Sequence, residues 1–202
     1  MQAVCSGLSP LLSTILIALL LPVFATGCGN VGVGTYRLNS VTGNAAFSPP
    51  LDAIAYRTDD KNSAVFILTD LPTEALRPGA SLDGVSGNIV RISLFLRPFP
   101  GRTPISDDAF NAAVTHAVIA DGRIGIYQGG GFLLPRGSAG DETFGGSMTD
   151  ATLRLSASTQ GFADLLGTTA LDVSFRAPRQ PGLAELAERR IAQLVATAER
   201  SQ

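Results

Sequence analysis

Few side chains in this 202-residue sequence are suited to catalysis, and their spacing limits what they could do. His116 is the only histidine, so a Ser-His-Asp relay working near neutral pH would have to run through it. The nucleophile-elbow pattern G-x-S-x-G is missing, and Gly137-Ser138-Ala139-Gly140 reads as a loop. A histidine-based zinc site needs several ligands, and there is no second histidine or spare cysteine to supply them. Carboxylates adjoin at Asp59-Asp60, Asp107-Asp108 and Asp141-Glu142. Glycoside hydrolysis needs two carboxylates facing each other across a cleft, roughly 5–9 Å apart, and neighbours in a turn do not meet that condition. Nor do these acids fall at the alternate positions of a calcium loop. The expectation is a strand histidine packed in a sheet and acids serving turns, with no catalytic residue and no metal.

The cysteines carry more information. Cys28 closes an apolar stretch whose eleven-residue centre is Leu11 to Leu21. A bilayer-spanning helix needs roughly 20 apolar residues, so this centre is too short, but it has the length of a signal-peptide core, about 7–15 residues. Pro22 lacks an N–H and stops a helix there. Ala25, Thr26 and Gly27 then offer a membrane peptidase a thin, extended backbone. No residue before Arg37 is charged. The run Gly27-Cys28-Gly29-Asn30-Val31-Gly32 also fits G-x-G-x-x-G, with Asp52 twenty residues on. That fingerprint works only where the glycines open a helix inside a βαβ unit. Val33 to Val41 alternates like a strand instead, so no nucleotide site is expected.

Ala25-Thr26-Gly27-Cys28 resembles the lipobox of bacterial lipoproteins, although Ala25 stands where leucine is usual and Met1 to Pro10 holds no Lys or Arg. The resemblance implies cleavage before Cys28, a diacylglyceryl thioether on its sulfur and acylation of the new amino group. It implies a membrane partner reached through that lipid, in the bacterial envelope. Gly29 follows where an aspartate would favour the inner membrane, so the outer membrane is the expected address. Cleavage would discard Cys5 and leave no pair for a disulfide. The resemblance covers residues 1–28 and is silent on the rest.

That remainder has the size of one domain. Net charge is −2, without a basic block, so no nucleic-acid partner is expected. Alternating runs predict strands at Thr35 to Val41, Ala53 to Thr58, Asn88 to Arg97, Ser147 to Ser158 and Leu171 to Arg176. The continuous run Ala64 to Leu68 predicts a strand covered on both faces. Val114 to Ala120 and Arg123 to Gln128 flank Asp121-Gly122, a two-residue loop of the type I′ kind. It fixes the register: Ala120 opposite Arg123, Ile119 opposite Ile124, Ala117 opposite Ile126, His116 opposite Tyr127. Gly129-Gly130-Gly131 reads as a bulge or bend, Arg136 to Gly146 as a polar loop, and Gly161 to Gly167 as a short helical connection. Asp107 to Ala113 reads as starting in a helical turn. The period then changes. Leu183, Leu186, Ile191, Leu194, Val195 and Ala198 form a helical stripe from Gly182 to Arg200.

These elements predict a mainly β fold, an antiparallel sandwich or open barrel of about eight strands with one C-terminal α-helix. The expected divisions are a signal peptide (1–27), a lipidated cysteine and tether (28–34), the β domain (35–181) and the helix with its tail (182–202). The helix is expected to cover a sheet face, or alternatively to dock an envelope protein partner. The functional expectation is a non-enzymatic structural or binding domain. The alternatives are a carrier whose apolar cavity opens near Gly129–Gly131 and Leu133-Leu134, and a hydrolase using His116.

Overall fold

The computed structural model describes residues 31–98 and 110–201. Ala25, Thr26, Gly27 and Cys28, like the Asp107-Asp108 pair, lie outside the described residues. Within them the chain forms β1 (Gly32–Ser40), β2 (Ala46–Phe47), β3 (Ala53–Arg57), β4 (Ala64–Thr69), β5 (Gly87–Leu94), β6 (Ala112–Ala120), β7 (Arg123–Gly131), β8 (Leu134–Arg136), β9 (Thr143–Ser158), β10 (Thr169–Pro178) and α1 (Pro181–Glu199). The strands make one antiparallel sheet ordered β2-β1-β10-β9-β7-β6-β5-β4-β3, with β8 paired on β9. It curls into a half-barrel. Its β3 edge touches the chain just past the end of β10, where Tyr56 and Arg179 form a parallel bridge and the Gln180 N–H donates to the Tyr56 carbonyl at 3.0 Å. Of the expected sandwich or open barrel, the fold is the open form, one curled sheet with a C-terminal helix, and the tether expected to reach residue 34 already pairs with β10 from Gly32.

Alternation sorts the apolar residues onto two faces. Tyr36, Phe66, Leu68, Val90, Ile92, Leu153, Leu171, Val173 and Phe175 fill the concave face. Ile67, Ile89, Ala117, Ile119, Ile124 and Ile126 lie on the convex face beneath α1. The run Ala64 to Leu68 is thus buried on both sides, as its composition predicts. Each large side chain so buried is worth about 1.5–3 kcal/mol.

The helix covers the convex face, but its buried line is Ala184, Ala187, Ile191, Leu194 and Ala198, with Leu183, Leu186 and Val195 only partly buried beside it. Small residues at the centre let the helix backbone approach the sheet while the larger ones wedge at its margins. Arg57 at the end of β3 pairs with Glu188 and holds the helix laterally.

The hairpin forms in the register derived from Asp121-Gly122, residue for residue, with φ of 50° and 75° in the loop. Other expectations need correction. Gly129–Gly131 do not bulge. They continue β7, paired with Val114, Ala113 and Ala112, because the neighbouring strand comes too close for a side chain. A Cβ on Gly129 would lie 1.8 Å from the Thr152 carbonyl oxygen. The irregularity falls instead between Ile126 and Tyr127 in their pairing with β9. That shift turns Ala157 to the convex face, away from Ala151 and Leu153, with which strict alternation along Ser147 to Ser158 would place it. Thr143 to Gly146 belong to β9 rather than a loop, and Ala112 and Ala113 open β6 rather than ending a helical turn. Residues 161–167 form no helix, because the Asp164 carboxylate accepts the N–H groups of Leu166 and Gly167 and sets a turn.

Candidate functional site

The strand directions define two ends of the half-barrel. The lower end gathers the start of β1, the end of β10 and the start of β9; the upper end gathers Ser40, β2, the Asp121-Gly122 turn and the start of β10. Near the lower end the concave face is solid. Tyr56, Phe66, Phe144 and Phe175 pack there with ring centroids 4.9–5.9 Å apart, in tilted or edge-on pairs. The Tyr56 hydroxyl donates to the Asp141 carbonyl.

Above that plug lies a chain of polar groups that runs from buried Tyr36 to half-buried Asp70, centred on His116, which is 0% exposed. Tyr36 on β1 approaches Nδ1 at 3.0 Å, and Nε2 lies 3.0 Å from Oδ1 of Asn88 on β5. The Asn88 amide nitrogen donates at 2.6 Å to the Asp70 carboxylate, which also takes the Asn88 backbone N–H. This orders the protons. With its Nδ2 spent on Asp70, Asn88 presents only an acceptor to the imidazole, so Nε2 carries the hydrogen and Nδ1 accepts from Tyr36. Burial holds the imidazole neutral, its pKa pushed down to about 3. Burial likewise raises the Tyr36 hydroxyl. Tyr36 and His116 sit on strands that are not neighbours in the sheet, so their hydrogen bond spans the concave space as a strut. Both ring nitrogens of His116 are taken, by a phenol and an amide, and this geometry offers no support to a relay through a serine and a carboxylate.

Phe47 on β2 lies over the imidazole, with centroids 6.2 Å apart and planes within 11° of parallel. The other side of Phe47 opens into a cleft of about 300 Å³ at the upper end, lined by Ala46, Phe47, Val118, Tyr127, Phe162 and Leu166 among others. Phe162 rests its ring on Gly125, where a Cβ would lie 2.1 Å from Cζ, so a side chain there would push the ring aside. Tyr127 gives the cleft a polar margin. Its hydroxyl donates to Asp164 at 2.6 Å, which fastens the β9–β10 loop over the opening. Burial pushes the Tyr127 phenol above its ordinary range, and the neighbouring carboxylate adds to this. Burial alone would raise Asp164, but the Tyr127 hydroxyl and the Gly167 and Leu166 N–H groups outweigh it and hold it low.

Other sequence-derived candidates are dispersed. Asp59 pairs with Arg57, Asp60 closes a turn on Asn62 and Ser63, and Asp141 caps Ser138. Among the described residues, no group of three or more His, Cys, Asp or Glu side chains could hold a metal. At the mouth expected near Gly129–Gly131 and Leu133-Leu134, Leu133 is buried and Leu134 points to solvent beside β9. A second, wider hollow of about 660 Å³ runs past Gly34, Arg136, Glu142, Ser174 and Arg176, where charges of both signs mix. The hairpin register set His116 opposite Tyr127 from sequence alone, whereas Phe47 and Phe162 come from a two-residue strand and a loop without periodicity and gave no signal.

No family model matches this chain, and no curated protein or solved structure matches it.

Proposed function

We propose that this is a lipid-anchored protein of the bacterial envelope whose β body binds an apolar ligand, or an apolar segment of a larger one, in the cleft at its upper end. The observation that carries the reading is the cleft itself. It is concave, of a volume at the lower bound of small-molecule sites, and almost wholly apolar, and the strut beneath it uses up its own polar groups. A ligand there would gain from leaving water and would meet one polar margin, at Tyr127 and Asp164. Because the lower end is filled with aromatic rings, the site suits one acyl-chain, isoprenoid or ring-sized group. The anchor rests on the resemblance of Ala25–Cys28 to a lipobox.

Two measurements test this reading. Full-length protein in nanodiscs, methyl-labelled at Leu and Val, is titrated with decanol. Saturable shifts confined to Val118, Leu165 and Leu166, lost in Ala163→Trp, are expected; shifts that never saturate, or that persist in the filled variant, would overturn the binding site. Intact-mass analysis of wild type beside Cys28→Ala tests the anchor. A diacylglyceryl mass on wild type alone is expected, and equal N-terminal fragments apart from the substitution would refute it.

A further inference from the structure

Among the described residues, large apolar side chains exposed to solvent are unevenly distributed between the two ends. Val31, Phe95, Leu96, Phe110 and Leu134 stand at the lower end, against Val41 and Leu165 at the upper. Phe95 and Phe110 are 49% and 63% exposed, yet they pack on each other edge to face at 5.7 Å. The patch extends sideways, since Arg97 reaches the Gly137 carbonyl at 3.4 Å and so brings the end of β5 beside the β8–β9 turn. That turn follows directly on Leu134 and Arg136. Aromatic and aliphatic tips flanked by arginines are the composition of a surface resting at the headgroup level of a bilayer.

The chain's own course selects that occupant. The described residues begin at this same end, with Val31 and Gly32. Two residues, Gly29 and Asn30, separate Cys28 from Val31, so their Cα atoms cannot be more than about 11 Å apart. A lipid on Cys28 would therefore hold the lower end at the membrane, with its exposed phenylalanines within reach of the headgroups.

We propose that the lower end of the half-barrel sits on the lipid surface, with Phe95, Leu96, Phe110 and Leu134 entering the headgroup boundary and Arg97 and Arg136 facing lipid phosphates. The inference rests on the anchor proposed above, not on the ligand cleft. It fixes the cleft's orientation: β1 runs from Gly32 at the membrane end to Ser40, so the opening faces away from the bilayer by roughly the length of that strand, about 26 Å.

The sequence has no tryptophan, so single reporters can be introduced. Full-length Phe95→Trp, Phe110→Trp and Leu165→Trp are reconstituted into vesicles of bacterial phospholipid, with or without brominated acyl chains. Loss of most emission and a blue shift are expected for Phe95→Trp and Phe110→Trp, with Leu165→Trp unaffected. Protein that floats with the vesicles but shows no quenching at positions 95 and 110, or equal quenching at all three, overturns the seating and leaves the anchor standing. Protein that does not float overturns both.

Discussion

The Tyr36 hydroxyl donates to Nδ1 of His116 across 3.0 Å of the concave face, from a strand 80 residues earlier in the chain. No backbone hydrogen bond joins those two strands, so this contact, extended through Asn88 to Asp70, braces the curl of the sheet. Tyr36, His116 and Asn88 are buried, and that makes each expensive to disturb.

Removing the donor should cost more than a surface hydroxyl would. Tyr36→Phe keeps the ring and leaves Nδ1 buried without a partner. A loss of about 1–3 kcal/mol is expected, read from urea unfolding at pH 7. A change within error would show that the strut carries no load.

Acid should weaken the fold through the same imidazole. Its folded pKa, about 3, lies below the ordinary value near 6.5. Between those limits the unfolded chain binds a proton that the folded one refuses. The contribution of neutral His116 is therefore complete above pH 6.5 and is lost as pH falls toward 3, with a slope approaching about 1.4 kcal/mol per pH unit. His116→Gln should flatten the fall in urea midpoint between pH 6 and pH 4. Parallel curves for the two proteins would contradict this.

Glycines in the sheet and in the helix should respond oppositely. Alanine at Gly145 would place Cβ 2.1 Å from the Phe175 carbonyl oxygen, a backbone atom, so β9 and β10 must part. Gly145→Ala is expected to prevent folding or lower the melting temperature sharply. A Cβ on Gly182, in the first turn of α1, meets nothing within 4 Å. Gly182→Ala should stabilise by up to about 0.5–1 kcal/mol. Circular dichroism melts of both variants check the contrast.

Phe162 should govern the size of the cleft. Phe162→Ala uncovers Gly125 and deepens the opening, so bulkier apolar probes should bind more tightly while stability falls by about 1–3 kcal/mol. Unchanged preference for decanol over a branched or cyclic alcohol of similar hydrophobicity would show that the ring does not limit the site.

Helix packing should be intolerant of bulk. Ala187 is fully buried between α1 and the sheet, and Ala187→Leu is expected to cost about 1–3 kcal/mol. Leu at the exposed Arg189 serves as the control, and equal effects at the two positions would mean the helix is not seated as described.

What could be read from residues alone was local. Asp121-Gly122 dictated a register because a two-residue loop leaves one solution, and the stripe after Pro181 announced a helix because its period differs from everything before it. What could not be read was set by neighbours distant in sequence. Three glycines look like a bend until Thr152 is placed beside Gly129. Ala157 looks concave until the shift at Ile126 turns it over. Phe47 and Phe162 carry no periodic signal, so the cleft they help form exists only once the sheet has curled. His116 was rightly placed opposite Tyr127, but its hydrogen-bond partners lie on β1 and β5 and follow from curvature.

The partnership of β1 with β10, which sets Gly32 against Arg176, governs when this protein can fold. Most of the first strand's hydrogen-bonding edge stays unsatisfied until nearly the whole polypeptide has been synthesised, and the Tyr56–Arg179 clasp forms still later. Such long-range closure makes folding slow and leaves the nascent chain open. On the export that the proposed anchor requires, this late pairing would keep the chain in the extended form that a secretion channel can thread.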